Sequence, residues 1–151
     1  MWNGNWYTRG FKKPYTGKFS WEPIKLNRMV RELQPKIVIS QRSGWMGDFD
    51  TQEVGFRGRP EDDRPWELCT NLGGAAWGWT PSCTDQIMSL DSCIQLLVMV
   101  VSLDGNLLLN IGPKPDGSIE PAHGQRLKEI GDFLSKYGES IYNTLGGIYD
   151  A

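Results

Sequence analysis

Histidine is nearly missing from this chain. Among 151 residues there is one, His123. Cysteine is also scarce: Cys69, Cys83 and Cys93 form no CxxC pair and stand near no histidine. That spacing gives no basis for a zinc or iron–sulfur centre, so no metal and no organic cofactor is expected. An odd number of cysteines leaves one thiol over from any single disulfide. Three reduced, partly buried cysteines are expected, with a Cys69–Cys83 bridge as the alternative. Long basic runs are absent and the net charge is −2, which argues against a nucleic-acid partner and against an anionic membrane surface. Long hydrophobic runs are absent too. The longest, 94–101, is too short and too interrupted to cross a bilayer. No basic region followed by an apolar run stands at the N-terminus, so no signal peptide is read there and the compartment is left open. There is no phosphate-cradling GxxxxGK motif. His123 falls in the first turn of an expected helix, where a surface position is expected and Ser-His-Asp chemistry finds no support.

Aromatic residues are plentiful: seven Trp, five Tyr and five Phe. Indoles in excess pack cores, and they are also the flat faces on which sugars and other planar ligands stack. Residues 21–34, WEPIKLNRMVRELQ, predict a helix with Pro23 in its first turn and Leu26, Met29, Val30 and Leu33 on one face. Pro35 ends it, and KIVIS (36–40) predicts a short buried strand. Residues 41–68 are polar and punctuated by Gly and Pro, yet carry Trp45, Phe49, Phe56 and Trp66. A connection of that length is expected to be an ordered, functional loop. Residues 70–82 predict a short glycine-containing strand leaving at a turn, and 84–103 a helix with Ile94, Leu97, Val98 and Val101 on one side, stopped at Asp104-Gly105. NLLLNI (106–111) predicts a strand covered on both faces, and GPKPDG (112–117) a turn. Pro121 opens a last helix with Leu127, Ile130, Leu134 and Tyr137 aligned, closed by Gly138.

Alternating helices and strands of this kind predict an α/β fold with parallel strands and crossover helices. Four such units make half of an eight-fold barrel or a small open sheet, and in a barrel the chemistry sits at the C-terminal strand ends. Those ends here are MWNGNW (1–6), the Ser40–Arg42 segment with its loop, AAWGW (75–79) and LNIGP (109–113).

Taken in order, MWNGNW, SQRSGW, GDFDTQE, PWELCT, WGW, GNLLLNIGPKPDGSI and IGDFLSKYGESIYNT resemble the α-L-fucosidases of glycoside hydrolase family 29 along nearly the whole chain. The resemblance implies a partial (β/α)8 TIM-like barrel, roughly its C-terminal half, over 1–151, with the family's N-terminal half-barrel and C-terminal β-sandwich absent. It implies a retaining exo-glycosidase removing terminal α-L-fucose, with a fucosylated glycan or fucoside as partner. Family members are typically periplasmic, secreted or lysosomal. An open half-barrel exposes two raw sheet edges, so self-association is expected as well.

Retaining hydrolysis needs two carboxylates about 5–5.5 Å apart, one as nucleophile and one as acid/base. The family's nucleophile is an Asp in a Trp-x-Asp-Gly-x-Trp type of turn. Asn3 takes that position when Gly4 is matched, and no carboxylate stands there in either alignment. An amide is a poor nucleophile and cannot stabilise a cationic transition state as an anion does. An engineered substitution, a natural degenerate member and a gene-edge artefact all remain open. The chain alone is expected to be inactive; the alternative is a non-catalytic carbohydrate-binding module or pseudoenzyme.

Glu53 matches the acid/base that some family members carry on this loop, against the ordinary fate of a solvated glutamate. Its rivals Asp48 and Asp50 are expected to be caps or turn residues. Arg42 matches a sugar-contacting arginine, against an ion pair with Asp48 or Asp50. Trp77 matches the apolar wall beside the fucose methyl group, against core packing, and Trp2 is expected to line the pocket from the other side. Trp79 is expected in the core, and Trp66-Glu67 in a supporting role.

Overall fold

A computed structural model describes residues 22–53, 55–60, 64–73 and 77–146. The elements are α1 (Pro23–Leu33), β1 (Asp50–Glu53), β2 (Trp66–Asn71), α2 (Leu90–Ser102), β3 (Gly105–Asn110) and α3 (Pro121–Tyr137). Short 3-10 turns stand at Gln41–Ser43 and Gly138–Ser140. The chain divides into two compact units. The first holds the described residues up to Thr51 together with those of 60–66, and the second holds 52–59 and everything from Glu67. Among the described residues no helix is long and apolar enough to cross a membrane.

In the first unit α1 forms where the sequence predicts it, with Pro23 at its start, where the missing N–H costs nothing. Its buried residues differ from the expected apolar face. Leu26, Met29 and Leu33 are exposed, while Asn27 is buried with its amide donating to Ser43 Oγ at 3.0 Å. The expected KIVIS strand is absent. Only Ser40 makes a bridge, to Phe49, and Val38 is 66% exposed. Individual groups satisfy the backbone there instead of a ladder: the Ile37 N–H donates to the Gln34 carbonyl, and the Ile37 carbonyl accepts from Arg31. The Ile39 N–H donates to Asp48 Oδ2 at 2.7 Å, and the Asp48 N–H returns to the Ile39 carbonyl at 2.7 Å. Gly47 makes this crossing possible, since a Cβ there would strike the backbone of 39–41.

The second unit holds most of a three-stranded sheet in the order β1-β2-β3. Two of its strands lie where a loop or a different strand was expected. β1 falls inside the predicted 41–68 loop. The strand predicted at 70–82 runs instead over Trp66–Asn71, because the β-favouring WELCT precedes the glycines that end it. β2 and β3 run parallel. Asn106 Nδ2 donates to Glu67 Oε2 and Asn110 Nδ2 to Asn71 Oδ1, both at 2.7 Å and both across 39 residues, and a constant offset is a parallel register. α2 is the crossover between them, and it packs on β3 and on α3.

α2 starts at Leu90, later than predicted, because Ser89 caps it: its hydroxyl accepts from the Ser92 N–H at 3.1 Å. Asp104, at φ 57°, ends it in the left-handed region. Leu68, Leu72, Cys83, Cys93 and Val100 form the buried core of this unit. β3 is covered on one face only, against the expectation of two. Leu107 and Leu109 turn toward a cavity of about 600 Å³ also lined from α2 and α3, whereas Leu108 is 48% exposed. Glu67, Asn71, Asn106 and Asn110 alternate with these apolar residues, so the face of the sheet away from the helices is polar.

Candidate active site

The 3-10 turn Gln41–Ser43 sets the first group of candidate residues. Ser40 caps it by accepting from the Arg42 N–H at 3.2 Å. Gln41, with its amide turned to satisfy both neighbours, donates to Asp50 Oδ1 at 3.1 Å and accepts from the Thr51 N–H at 3.0 Å. Arg42 is half-buried and its Nε donates to Thr51 Oγ1 at 3.2 Å. The turn is thus fastened to the start of β1. The rival carboxylates are engaged with other cations. Asp48 pairs with Arg31 at 2.7 Å, and Asp50 lies 3.5 Å from Arg64 Nε. The Ile39 N–H, followed by the Arg31 guanidinium, holds the Asp48 carboxyl below its ordinary pKa. Both carboxylates thus have a cationic partner within the first unit.

Glu53 stands two positions beyond Thr51 along β1, in the second unit, and is half-buried. Beside it Gln52 is buried, with Nε2 donating to the Gly58 carbonyl at 2.8 Å and Oε1 accepting from the Arg57 N–H at 3.3 Å. Gln52 therefore ties the following loop back onto the strand that carries Glu53.

Trp77 is also in the second unit, in a bend rather than on a strand, and 40% exposed. The core-packing alternative does not apply to it. Its carbonyl accepts from Asn110 Nδ2 at 2.9 Å. Trp79, expected in the core, is half-buried, and its indole N–H donates to Glu120 Oε2 at 3.3 Å. Lys114 Nζ meets the same oxygen at 3.1 Å. Lys114, then the Trp79 indole, hold the Glu120 carboxyl below its ordinary pKa. Trp66 is buried and Glu67 accepts from Asn106. Trp2 and Asn3 lie outside the described residues. Of the predicted constellation, then, Arg42 belongs to the first unit and Glu53 and Trp77 to the second.

His123 corrects the expectation of a surface histidine. It is 1% exposed, with Nε2 3.3 Å from the Cys83 carbonyl. It continues the stripe of Leu127, Ile130 and Leu134 one turn earlier, at i−4, and that spacing is the signal for its burial. Gly73 packs on it: a Cβ at Gly73 would lie 3.1 Å from His123 Nε2 and 2.7 Å from the Cys83 carbonyl oxygen. Asn71 and Asn110 were also missed. Their signal is a polar amide closing each of two apolar strands, LCTN and LLLN. Among the described residues no three His, Cys, Asp or Glu side chains gather as a metal-ligand set.

The comparisons with known proteins agree on one family. The α-L-fucosidase family profile matches residues 2–139. Tissue α-L-fucosidase of Bos taurus is 42% identical over 116 residues, covering 73% of this chain and 25% of that protein. The Rattus norvegicus protein of the same name is 34% identical over the same shares. Alpha-L-fucosidase isoenzyme 1 from Paenibacillus thiaminolyticus superposes with a TM-score of 0.78 at 30% identity, over 86% of this chain and 34% of that one. The Thermotoga maritima α-fucosidase solved with fucose gives 0.69 at 31%, over 82% and 28%. The chain thus spans about a quarter of the length of the curated relatives it matches. By its sequence and by the order of its strands and helices, it belongs to the α-L-fucosidase family.

Proposed function

We propose that this chain is roughly the C-terminal half of the catalytic (β/α)8 barrel of a retaining α-L-fucosidase, which removes terminal fucose from glycans. The observation that carries this is the family match over residues 2–139. The parallel β2-α2-β3 unit, with its polar strand face opposite the helices, is consistent with one arc of such a barrel.

In this reading Glu53 protonates the departing glycosidic oxygen and then takes the proton of the incoming water. Arg42 donates to sugar oxygens, a task its forked guanidinium suits. Trp77 offers its exposed face to the apolar side of the sugar, where a 6-deoxy methyl group replaces a hydroxyl. The attack on the anomeric carbon falls to the position of Asn3, whose neutral amide cannot form an ordinary glycosyl ester.

The chain as it stands therefore does not turn over. Purified protein offered nitrophenyl α-L-fucoside is expected to release no nitrophenol above background. Turnover abolished by Glu53→Gln refutes that expectation. Asn3 also favours a second function, sugar binding without hydrolysis. Heat released on titrating L-fucose, with no accompanying hydrolysis, identifies that case.

A further inference from the structure

The run Asn110–Glu120, NIGPKPDGSIE, is the most distinctive stretch of the chain, yet none of it enters the chemistry above. It meets the Trp77–Gly78–Trp79 bend at three separate points. Asn110 Nδ2 donates to the Trp77 carbonyl at 2.9 Å while also holding Asn71 Oδ1 at 2.7 Å, so the bend is tied to the ends of β2 and β3 together. Gly112 is buried against the backbone of Gly78 and Trp79, and a Cβ at Gly112 would overlap both. Glu120 accepts from the Trp79 indole.

The chain between these contacts is folded to make them. Lys114 and Ser118 close a turn, with the Lys114 N–H donating to the Ser118 carbonyl at 2.8 Å. Gly117 adopts φ 83° within it. Asp116 Oδ1 accepts from the Ser118 hydroxyl at 2.7 Å and from its N–H at 2.9 Å. The reversal brings Lys114 against Glu120, which orients the carboxylate toward the indole.

The outcome for the two tryptophans differs. Residues two apart on a strand share a face. Here one indole is anchored by its N–H and the other is left with its face in solvent. We propose that Asn110, Gly112 and Glu120 are positioning residues, a rigid seat that fixes the bend so that Trp77 is presented as a preformed wall for the methyl-bearing face of the sugar. The inference rests on the role given to Trp77 above. It adds that selectivity for a 6-deoxy sugar depends on groups that never touch it, since a wall that must be ordered on binding costs affinity.

Three variants of the full 151-residue chain test this. N110D keeps its partnership with Asn71, whose amide turns to donate, but cannot donate to the Trp77 carbonyl. E120A removes the acceptor for the Trp79 indole, and E120Q keeps an acceptor oxygen there. The rate at which N-bromosuccinimide oxidises Trp79, mapped by mass spectrometry, is read with buried Trp66 as the internal standard. N110D and E120A are expected to raise that rate about fivefold, the size of one lost hydrogen bond holding the bend, and E120Q to stay near the unaltered chain. A change below about twofold in both N110D and E120A overturns the proposal. So does an equal rise at Trp66.

Oxidation of Trp77 by N-bromosuccinimide, mapped by mass spectrometry, gives the sugar readout, with buried Trp66 as the control. L-fucose is expected to protect Trp77 more than L-galactose does, and E120A to lose that preference while E120Q retains it. Absence of protection in the unaltered chain overturns the sugar role of Trp77 alone; the Trp79 oxidation rate, measured without sugar, judges the seat independently of it.

Discussion

Several single residues here are held in place by backbone geometry rather than by side-chain chemistry. Gly112 has no tolerable substitute while the 78–79 backbone lies where its Cβ would be. Gly112→Ala is expected to destabilise the fold by about 1–3 kcal/mol, read as a lower urea midpoint, because buried backbone must move to admit one methyl group. An unchanged midpoint means the 77–79 bend yields freely. Asp48 supplies a pH-dependent contribution instead. Its pKa is held low by the Ile39 N–H and then by Arg31, so its stabilisation is present above the ordinary carboxylate value and is lost as pH falls through the lowered one. Melting temperature is expected to drop more steeply between about pH 5 and pH 2 in the unaltered chain than in Asp48→Asn. Parallel acid profiles refute this. The effect is small, since Arg31 and Asp48 are 41% and 39% exposed.

Among the elements, β2 places Leu68 in the core of the second unit, beside Cys93 and Val100 from α2. Leu68 lies at its centre with no exposed surface. Truncating it to alanine is expected to cost about 2–5 kcal/mol, with the loss appearing in α2 and α3 as well as in the strand, because these close over the same core. Exchange protection retained in both helices would contradict that. Local sequence signals located the helices well. Pro23 and Pro121 mark two helix starts, and the heptad-like spacing of apolar residues marks α2 and α3. The strands were less legible. KIVIS has the composition of a strand, but Asp48 takes up both backbone groups of Ile39, and Gln34 and Arg31 take up those of Ile37, so these groups do not enter a ladder. β1 was hidden because DTQE is polar, and only Gln52 of its four residues is buried.

At the scale of the whole molecule, the sheet has β1 and β3 at its margins among the described residues, and Leu108 is exposed on its polar face. Strand margins of this kind template pairing with another chain. Sedimentation over a hundredfold range of concentration is expected to show mass rising above the 17.1 kDa of one chain. A constant single-chain mass refutes the expectation of self-association. The candidate site was read from motifs, and the groups packed around those residues were not legible that way. Arg42, Glu53 and Trp77 stand in recognisable segments, while Asn71, Asn110, Gly112 and His123 act on residues 30 or more positions away or, for His123, across 40 residues to Cys83.

The amino-acid order by itself determined the α/β alternation, the starts of α1 and α3, and the family, because prolines, apolar periodicity and contiguous motifs are local properties of a chain. Tertiary structure alone decided which half of that pattern becomes buried. It sent Asn27 inward while leaving Leu26, Leu108 and Trp77 in solvent. The physical reason is that burial depends on whether a distant group arrives to satisfy a polar atom or to cover an apolar one. Ser43 arrives for Asn27, and no spacing within α1 encodes that meeting. For His123 the stripe of its own helix marks the burial, but not the Cys83 carbonyl that meets the ring.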